Sequence, residues 1–262
     1  MTKILAVCFS KPKNWVFLLI FFIAIFACNS KISESKENKA IGNKLTKIEE
    51  PQLTYILPSP KTDGNISVEK ALTTRRSHRR FQNKAITAEQ LSQILWAAYG
   101  VTEPRPNQPN LRGGLRTAPS AGATYPLEIY AVIGNVKGIE PGVYRYISQE
   151  HKIVRTIDKD VRAELSEAAL GQRMIREAPA SIFYSAIFAR TTGRYGDRGH
   201  KYVHMEIGHS AQNIHLQAEA LRLGTCAVGA FTDSKVRQVL KLPTNEEPLY
   251  MMPIGYVVND NR

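Results

Sequence analysis

Residues 208–231 read GHSAQNIHLQAEALRLGTCAVGAF, and the fold turns on where this stretch stops being helix. Counting from just before it, the apolar positions Val203, Ile207, Ala211, Ile214, Ala218 and Leu221 advance by fours and threes, the period of an α-helix. The spacing predicts one long helix over residues 202–223. Met205, Leu216 and Leu223 widen its apolar surface beyond one stripe, and Gly208, Ser210 and Ala211 permit close approach of another backbone. The helix is therefore expected to lie centrally or against a second subunit. Gly224 is expected to end it as a C-cap would, and residues 225–231 then read as a strand of small side chains.

Working outward, Ser67 caps a short helix over residues 67–74, and Thr87 with Gln90 forms a capping box for a second over 87–99. Residues 104–114 are turn-rich and read as a surface loop. Strand character follows at 127–133, 142–146, 153–156, 180–188 and 249–258, with helical spacing at 158–170 and again from Asp233. Helices and strands intermixed around few crossovers predict an α+β fold, a mixed sheet flanked by helices.

The 262 residues are 43% apolar and 22% charged, values of a folded domain rather than of a disordered or many-span membrane chain. A formal net charge of +12 admits nucleic acid, an anionic membrane surface or a phosphate-bearing cofactor. The excess is dispersed, with no basic block and no zinc-finger pattern, so no nucleic-acid partner is expected. Lys3, Lys11 and Lys13 precede the unbroken apolar run WVFLLIFFIAIFA of residues 15–27, which has the length and flank of an export signal and is short for a spanning helix. Removing residues 1–27 lowers the net charge from +12 to +9. The junction Ile25-Phe26-Ala27-Cys28 is similar to a bacterial lipobox, which makes Cys28 the expected site of lipidation and the cell envelope, outside the cytoplasm, the expected location. Residues 28–65 have linker composition, and the folded domain is expected over 66–262.

Three segments could carry chemistry. Thr74-Arg75-Arg76-Ser77-His78-Arg79-Arg80 places four arginines and a hydroxyl at the end of the first helix; guanidinium binds phosphate through forked hydrogen bonds, although a solvated basic face is the commoner origin of such a cluster. Arg116-Thr117-Ala118-Pro119-Ser120-Ala121-Gly122-Ala123-Thr124-Tyr125-Pro126 is a run of small residues whose backbone can approach a flat ligand, or an ordinary loop. Gly224-Thr225-Cys226-Ala227-Val228-Gly229-Ala230-Phe231 enters a strand directly behind the long helix. No G-x-G-x-x-G, P-loop, G-x-S-x-G or C-x-x-C pattern is present. His200 and His204 stand four apart with Glu206 nearby, yet the pattern is not H-E-x-x-H and a third ligand on that face is missing, so no metal is expected. Cys226 reads as a packed small residue.

In this order the three segments resemble the nitroreductase superfamily. PSAGATYPLEIY with GHSAQNIHLQAEALRLGTCAVGAF is most similar to its SagB-type dehydrogenase branch, over about residues 66–258. The resemblance implies a nitroreductase-like fold, FMN as cofactor, and a homodimer with the flavin at the interface. It implies that Arg75, Arg76, Ser77 and Arg79 hold the phosphate and ribityl chain and that Pro119, Ser120, Ala121 and Gly122 line the ring. Val228 and Gly229 would present backbone amides at the flavin's reactive edge. Ala123 and Tyr125 depart from the Asn and Gln of many nitroreductases, and Tyr125 is the one side chain offered as a proton donor. The implied activity is ping-pong electron transfer to or from a small organic or peptide-derived substrate. A non-catalytic lipoprotein that binds or sequesters flavin is the alternative.

Overall fold

The structure of the chain, a computed structural model, describes residues 52–258. The apolar run 15–27, Cys28 and residues 28–51 of the expected linker lie outside the described residues.

A seven-stranded sheet forms the middle of the fold. Its strands are β1 (Thr54–Ile56), β4 (Leu127–Ile133), β5 (Gly142–Ile147), β6 (Lys152–Ile157), β7 (Ala180–Ala186), β8 (Gly224–Thr225) and β9 (Glu247–Gly255), in the order β1-β6-β5-β4-β7-β9-β8. Every pairing between these strands is antiparallel; parallel pairing occurs at the isolated bridges Ser77–Thr225 and Ile86–Val136. A separate hairpin, β2 (Val101–Pro104) with β3 (Gly114–Arg116), brackets the turn-rich segment.

β4 and β7 are buried along their whole length and pair from Leu127–Ala186 to Ile133–Ala180. They read as largely apolar runs, interrupted by Glu128 in β4 and by Ser181 and Ser185 in β7, because both faces are covered, and their alternate side chains feed two cores. Leu127, Ile129, Ala131 and Ile133 pack with α2 (Ala88–Tyr99) and α6 (Arg198–Ala220); Tyr130 and Val132 pack with α3 (Arg162–Ala168), α4 (Arg173–Glu177) and α7 (Asp233–Leu240). Fully buried side chains such as Ile94, Leu95 and Ile214 each contribute roughly 1.5–3 kcal/mol through removal from water. The Thr87–Gln90 capping box forms as expected, with reciprocal bonds of 3.2 and 3.0 Å.

Three expectations are corrected. The folded part reaches back into the expected linker: Tyr55 of β1 stacks on Tyr144 at 5.9 Å, Leu57 is buried, and the Pro58 carbonyl accepts from Ser92 Oγ at 2.5 Å. Helix α6 begins at Arg198 rather than near 202, and Gly224 is not its cap. The Leu223 N–H bonds the Ala218 carbonyl at 2.8 Å and the Arg222 N–H bonds that of Glu219 at 3.0 Å, a Schellman ending with Arg222 in the left-handed position at φ 57°. The expected strand over 225–231 shortens to β8 plus a bridge between Val228 and Met251.

Candidate active site

Helix α1 (Val68–Thr74) is capped by Ser67, whose Oγ accepts the Lys70 N–H at 3.1 Å. Past Thr74 the chain runs extended along β8: Ser77 bridges Thr225, and the His78 N–H donates to the Thr225 carbonyl at 2.9 Å. Gly224 makes that approach possible, because a Cβ there would stand 2.9 Å from the His78 Cβ and collide with the Val257 side chain. Arg75 is half-buried; Arg76, Ser77 and Arg79 are exposed. None of Arg75, Arg76 and Arg79 has a carboxylate partner among the described residues, and Arg76 Nη1 is turned onto the carbonyls of Thr73 and Arg75 at 3.1 and 2.8 Å. His215 on α6 has its pKa lowered by burial and then by Arg75, against Glu219, with a smaller lowering from His78, so it lies near this segment. Thr225 Oγ1 and His215 Nδ1 are buried without a partner. Arginines lacking counter-anions beside two orphaned polar atoms fit an anion that carries hydroxyls, such as a phosphate on a polyol chain.

The loop of residues 119–126 is held in an unusual conformation. Gly122, Ala123 and Tyr125 have φ of 57°, 54° and 46°, and such torsions store strain in residues that carry a Cβ. The loop is tied down by its own groups: Ser120 Oγ accepts the Tyr125 N–H at 2.9 Å, the Ser120 carbonyl accepts the Ala123 N–H at 3.1 Å, and the Gly122 carbonyl accepts from Arg194 at 3.0 Å. A Cβ at Gly122 would collide with the ends of the Tyr195 and Arg194 side chains, which would have to shift, so glycine is favoured there. Beneath the loop lies Glu206 of α6, 2% exposed, with Oε1 accepting from the Tyr99 hydroxyl and Oε2 unpartnered. Burial pushes its carboxyl up to about 7, against the nearby Ser120 and Tyr99 hydroxyls and the charge of Arg116. The Arg116 guanidinium stands over the rings of both Tyr99 and Tyr125, 4.6 and 4.8 Å from their centroids. Tyr125 is thus packed beside a cation, and burial raises its hydroxyl above the ordinary range.

Within one chain the two segments attach to opposite sides of α6. Glu206 and His215 are nine positions apart, about 180° around the helix and about 13.5 Å along it. Val228 does not offer the amide expected of it, because its N–H donates to the Met251 carbonyl at 2.9 Å in the bridge to β9. Gly229 is exposed, and its N–H takes no partner among the described residues. Cys226 is fully buried and its thiol is pushed up to about 11 by burial, the state of a packed residue rather than a nucleophile. His200 and His204 pack on Phe188, with ring centroids 5.0 and 5.6 Å away. Among the described residues no group of three His, Cys, Asp or Glu side chains could hold a metal ion.

Glu206 enters the sequence reading only as a neighbour of His200 and His204, and Arg116 only as the head of the small-residue run; neither is given a role there. A signal existed for Glu206: it falls on the buried face defined by Val203, Ile207 and Ser210, where a carboxylate is out of place. Arg116 carried none, since its neighbours come from distant parts of the chain.

A model of the nitroreductase family matches residues 72–256. A protein of Methanocaldococcus jannaschii named as a nitroreductase is 50% identical over 190 residues, covering 72% of this chain and 91% of that protein. The trifolitoxin-processing protein TfxB of Rhizobium leguminosarum bv. trifolii is 30% identical over 133 residues, 48% of this chain and 35% of its own length. A crystal structure from Anabaena variabilis, also named as a nitroreductase, superposes with a TM-score of 0.67 at 28% identity, covering 79% of this chain and 42% of that one.

Proposed function

This chain belongs to the nitroreductase family of oxidoreductases, and from that premise we propose that it is an FMN-dependent dehydrogenase of the SagB type. The observation that carries the flavin reading is the set of uncompensated arginines at Arg75 and Arg79 beside Ser77 and the orphaned Thr225 Oγ1 and His215 Nδ1. FMN, when bound, supplies hydride chemistry in two half-reactions. The chain's own residues bind and orient: the guanidiniums of Arg75 and Arg79 neutralise the phosphate, Ser77 serves the ribityl chain, and the strained backbone of Pro119, Ser120, Ala121 and Gly122 forms a rigid wall for the ring. Gly229 is the amide of the third segment that remains open for the ring edge.

The opposed placement of the two segments around α6 favours a homodimer in which each flavin takes its ring wall and its phosphate site from different chains. An exposed strip of α6, formed by Met205, Gly208, His209 and Gln212, is positioned for that pairing, and a Cβ at Gly208 would meet nothing within 4 Å. The similarity to a trifolitoxin-processing protein supports a peptide-derived substrate. Lipidation at Cys28 would hold the domain at the cell envelope, away from the cytosolic nicotinamide pool, with electrons exchanged with a membrane-confined partner or the substrate; acyl labelling of cells followed by fractionation tests this.

For the flavin reading the test is the pair Arg75→Ala and Arg79→Ala. Each lost charge-assisted hydrogen bond is worth roughly 1.5–3 kcal/mol, so FMN affinity should fall by orders of magnitude while circular dichroism is unchanged. Unchanged FMN affinity in the double variant would remove these residues from the site.

A further inference from the structure

A cavity of about 390 Å³ opens between the start of β4, the end of β5 and the first turn of α5 (Ala189–Tyr195). Its walls carry four guanidiniums, those of Arg112, Arg116, Arg145 and Arg190. One buried carboxylate answers them: Glu128 bridges Arg145 at 2.5 Å and Arg190 at 2.6 Å. The other acid on the rim, Glu150, is exposed and paired with Lys152 at 2.7 Å. Arg116 donates only to neutral acceptors, the carbonyls of Tyr99 and Arg112 at 3.0 Å each and the Ser148 hydroxyl, and its Nε is buried without a partner. The Arg112 side chain has no hydrogen bond or ion pair among the described residues, and its backbone is left-handed at φ 48°. Burial and the neighbouring Arg190 lower its pKa from the ordinary value. A left-handed backbone and a half-buried guanidinium without a paired carboxylate meet at one concave position, an arrangement that an anion would favour. The remaining wall mixes aromatic and aliphatic side chains with Ser148 and Gln149, and Tyr125 and Leu127 face the same space.

We propose that this cavity binds a small organic anion, its carboxylate or phosphate in the fork of Arg112 and Arg116 and its apolar body against Tyr125. Two guanidiniums without acidic partners offer paired N–H donors to either anion, and the volume suits a compact ligand. The site is distinct from Arg75–Arg79, which lies against β8 and the far side of α6. It shares Arg116 and Tyr125 with the support of the strained loop, so its occupancy is felt next to the proposed ring wall.

The test is calorimetric titration of the purified full chain, with its flavin content measured beforehand, using benzoate, inorganic phosphate and the uncharged benzamide. Benzoate should bind, with affinity that weakens as salt rises, and benzamide should not. Phosphate that competes with benzoate places both in the same fork. Arg112→Gln should weaken benzoate binding about tenfold or more, and Arg112→Lys should recover part of it, with flavin content equal to wild type in both. Equal binding of benzoate and benzamide, undiminished binding in Arg112→Gln, or no binding of either anion to the wild type would overturn the proposal. Loss of flavin in Arg112→Gln would overturn it too, by assigning the cavity to the cofactor.

Discussion

Replacing Glu206 by Gln should make the protein more stable at alkaline pH and remove part of its pH dependence. Glu206 is enclosed under the strained loop, and burial raises its carboxyl from 4.5 to about 7. Between those values the folded state binds a proton that the unfolded chain has released. The contribution of Glu206 to stability is therefore fully present below pH 4.5, is lost as pH rises through about 7, and is flat above. At about 1.36 kcal/mol per pKa unit the whole loss is about 3 kcal/mol, an upper figure for a carboxyl still helped by Arg116. The amide of Glu206→Gln matches the protonated carboxyl in shape and still accepts from the Tyr99 hydroxyl, so it carries no such loss. Urea unfolding at a series of pH values should show the two proteins alike near pH 4.5 and the variant ahead by up to about 3 kcal/mol at pH 8, a shift in Tm of roughly 5–10 °C. His151 and His215, whose pKa values are lowered chiefly by burial, act with the opposite sign and are common to both proteins, so the difference isolates Glu206. A variant less stable than wild type at pH 8, or one with the same pH slope, would refute this account of the loop's foundation.

Gly224→Ala should displace the Arg75–Arg79 segment, since the new methyl meets the His78 Cβ and the Val257 side chain; a loss of about 1–3 kcal/mol in urea unfolding together with weaker FMN binding is expected. An effect on stability with FMN affinity unchanged would separate that segment from the cofactor. Gly122→Ala, at φ 57° and against Tyr195 and Arg194, should cost about 1 kcal/mol or more of stability and loosen the loop, read as faster amide exchange at Ala123 and Thr124. Cys226 should resist a thiol reagent in the folded protein and react on unfolding, because burial holds the thiol near 11; rapid labelling of native protein would contradict its placement.

The parts of the fold that were legible in the sequence are those whose signal is local. The Thr87–Gln90 capping box, the Ser67 cap and the threes and fours of α6 depend on residues within one or two turns of each other. The apolar runs of β4 and β7 announce strands covered on both faces. What escaped depends on partners far along the chain. β1 is three residues long and becomes a strand only through its ladder with β6, so Thr54–Ile56 looked like linker. Gly224 resembled a helix cap, yet its missing Cβ serves the passage of His78, while Arg222 takes the left-handed position that ends α6. The free amide that the resemblance implies at Val228 is taken up by the bridge to Met251, a partner far along the chain. Arg112 and Arg116 stand four apart, but Arg145 and Arg190 lie far along the chain, and only folding brings all four to one cavity with Glu128.

Flavin bound through the Arg75–Arg79 segment, and turned over there, is the proposed basis of activity. The most direct measurement is the visible absorbance spectrum of the purified protein, recorded as isolated, after reduction under anaerobic conditions and after reoxidation by an organic acceptor, beside the Arg75→Ala/Arg79→Ala variant. A protein-bound flavin spectrum should bleach and return in the wild type and be absent from a folded double variant. A wild-type protein that takes up no FMN on reconstitution, or one whose bound flavin is retained in full by the double variant, would contradict it.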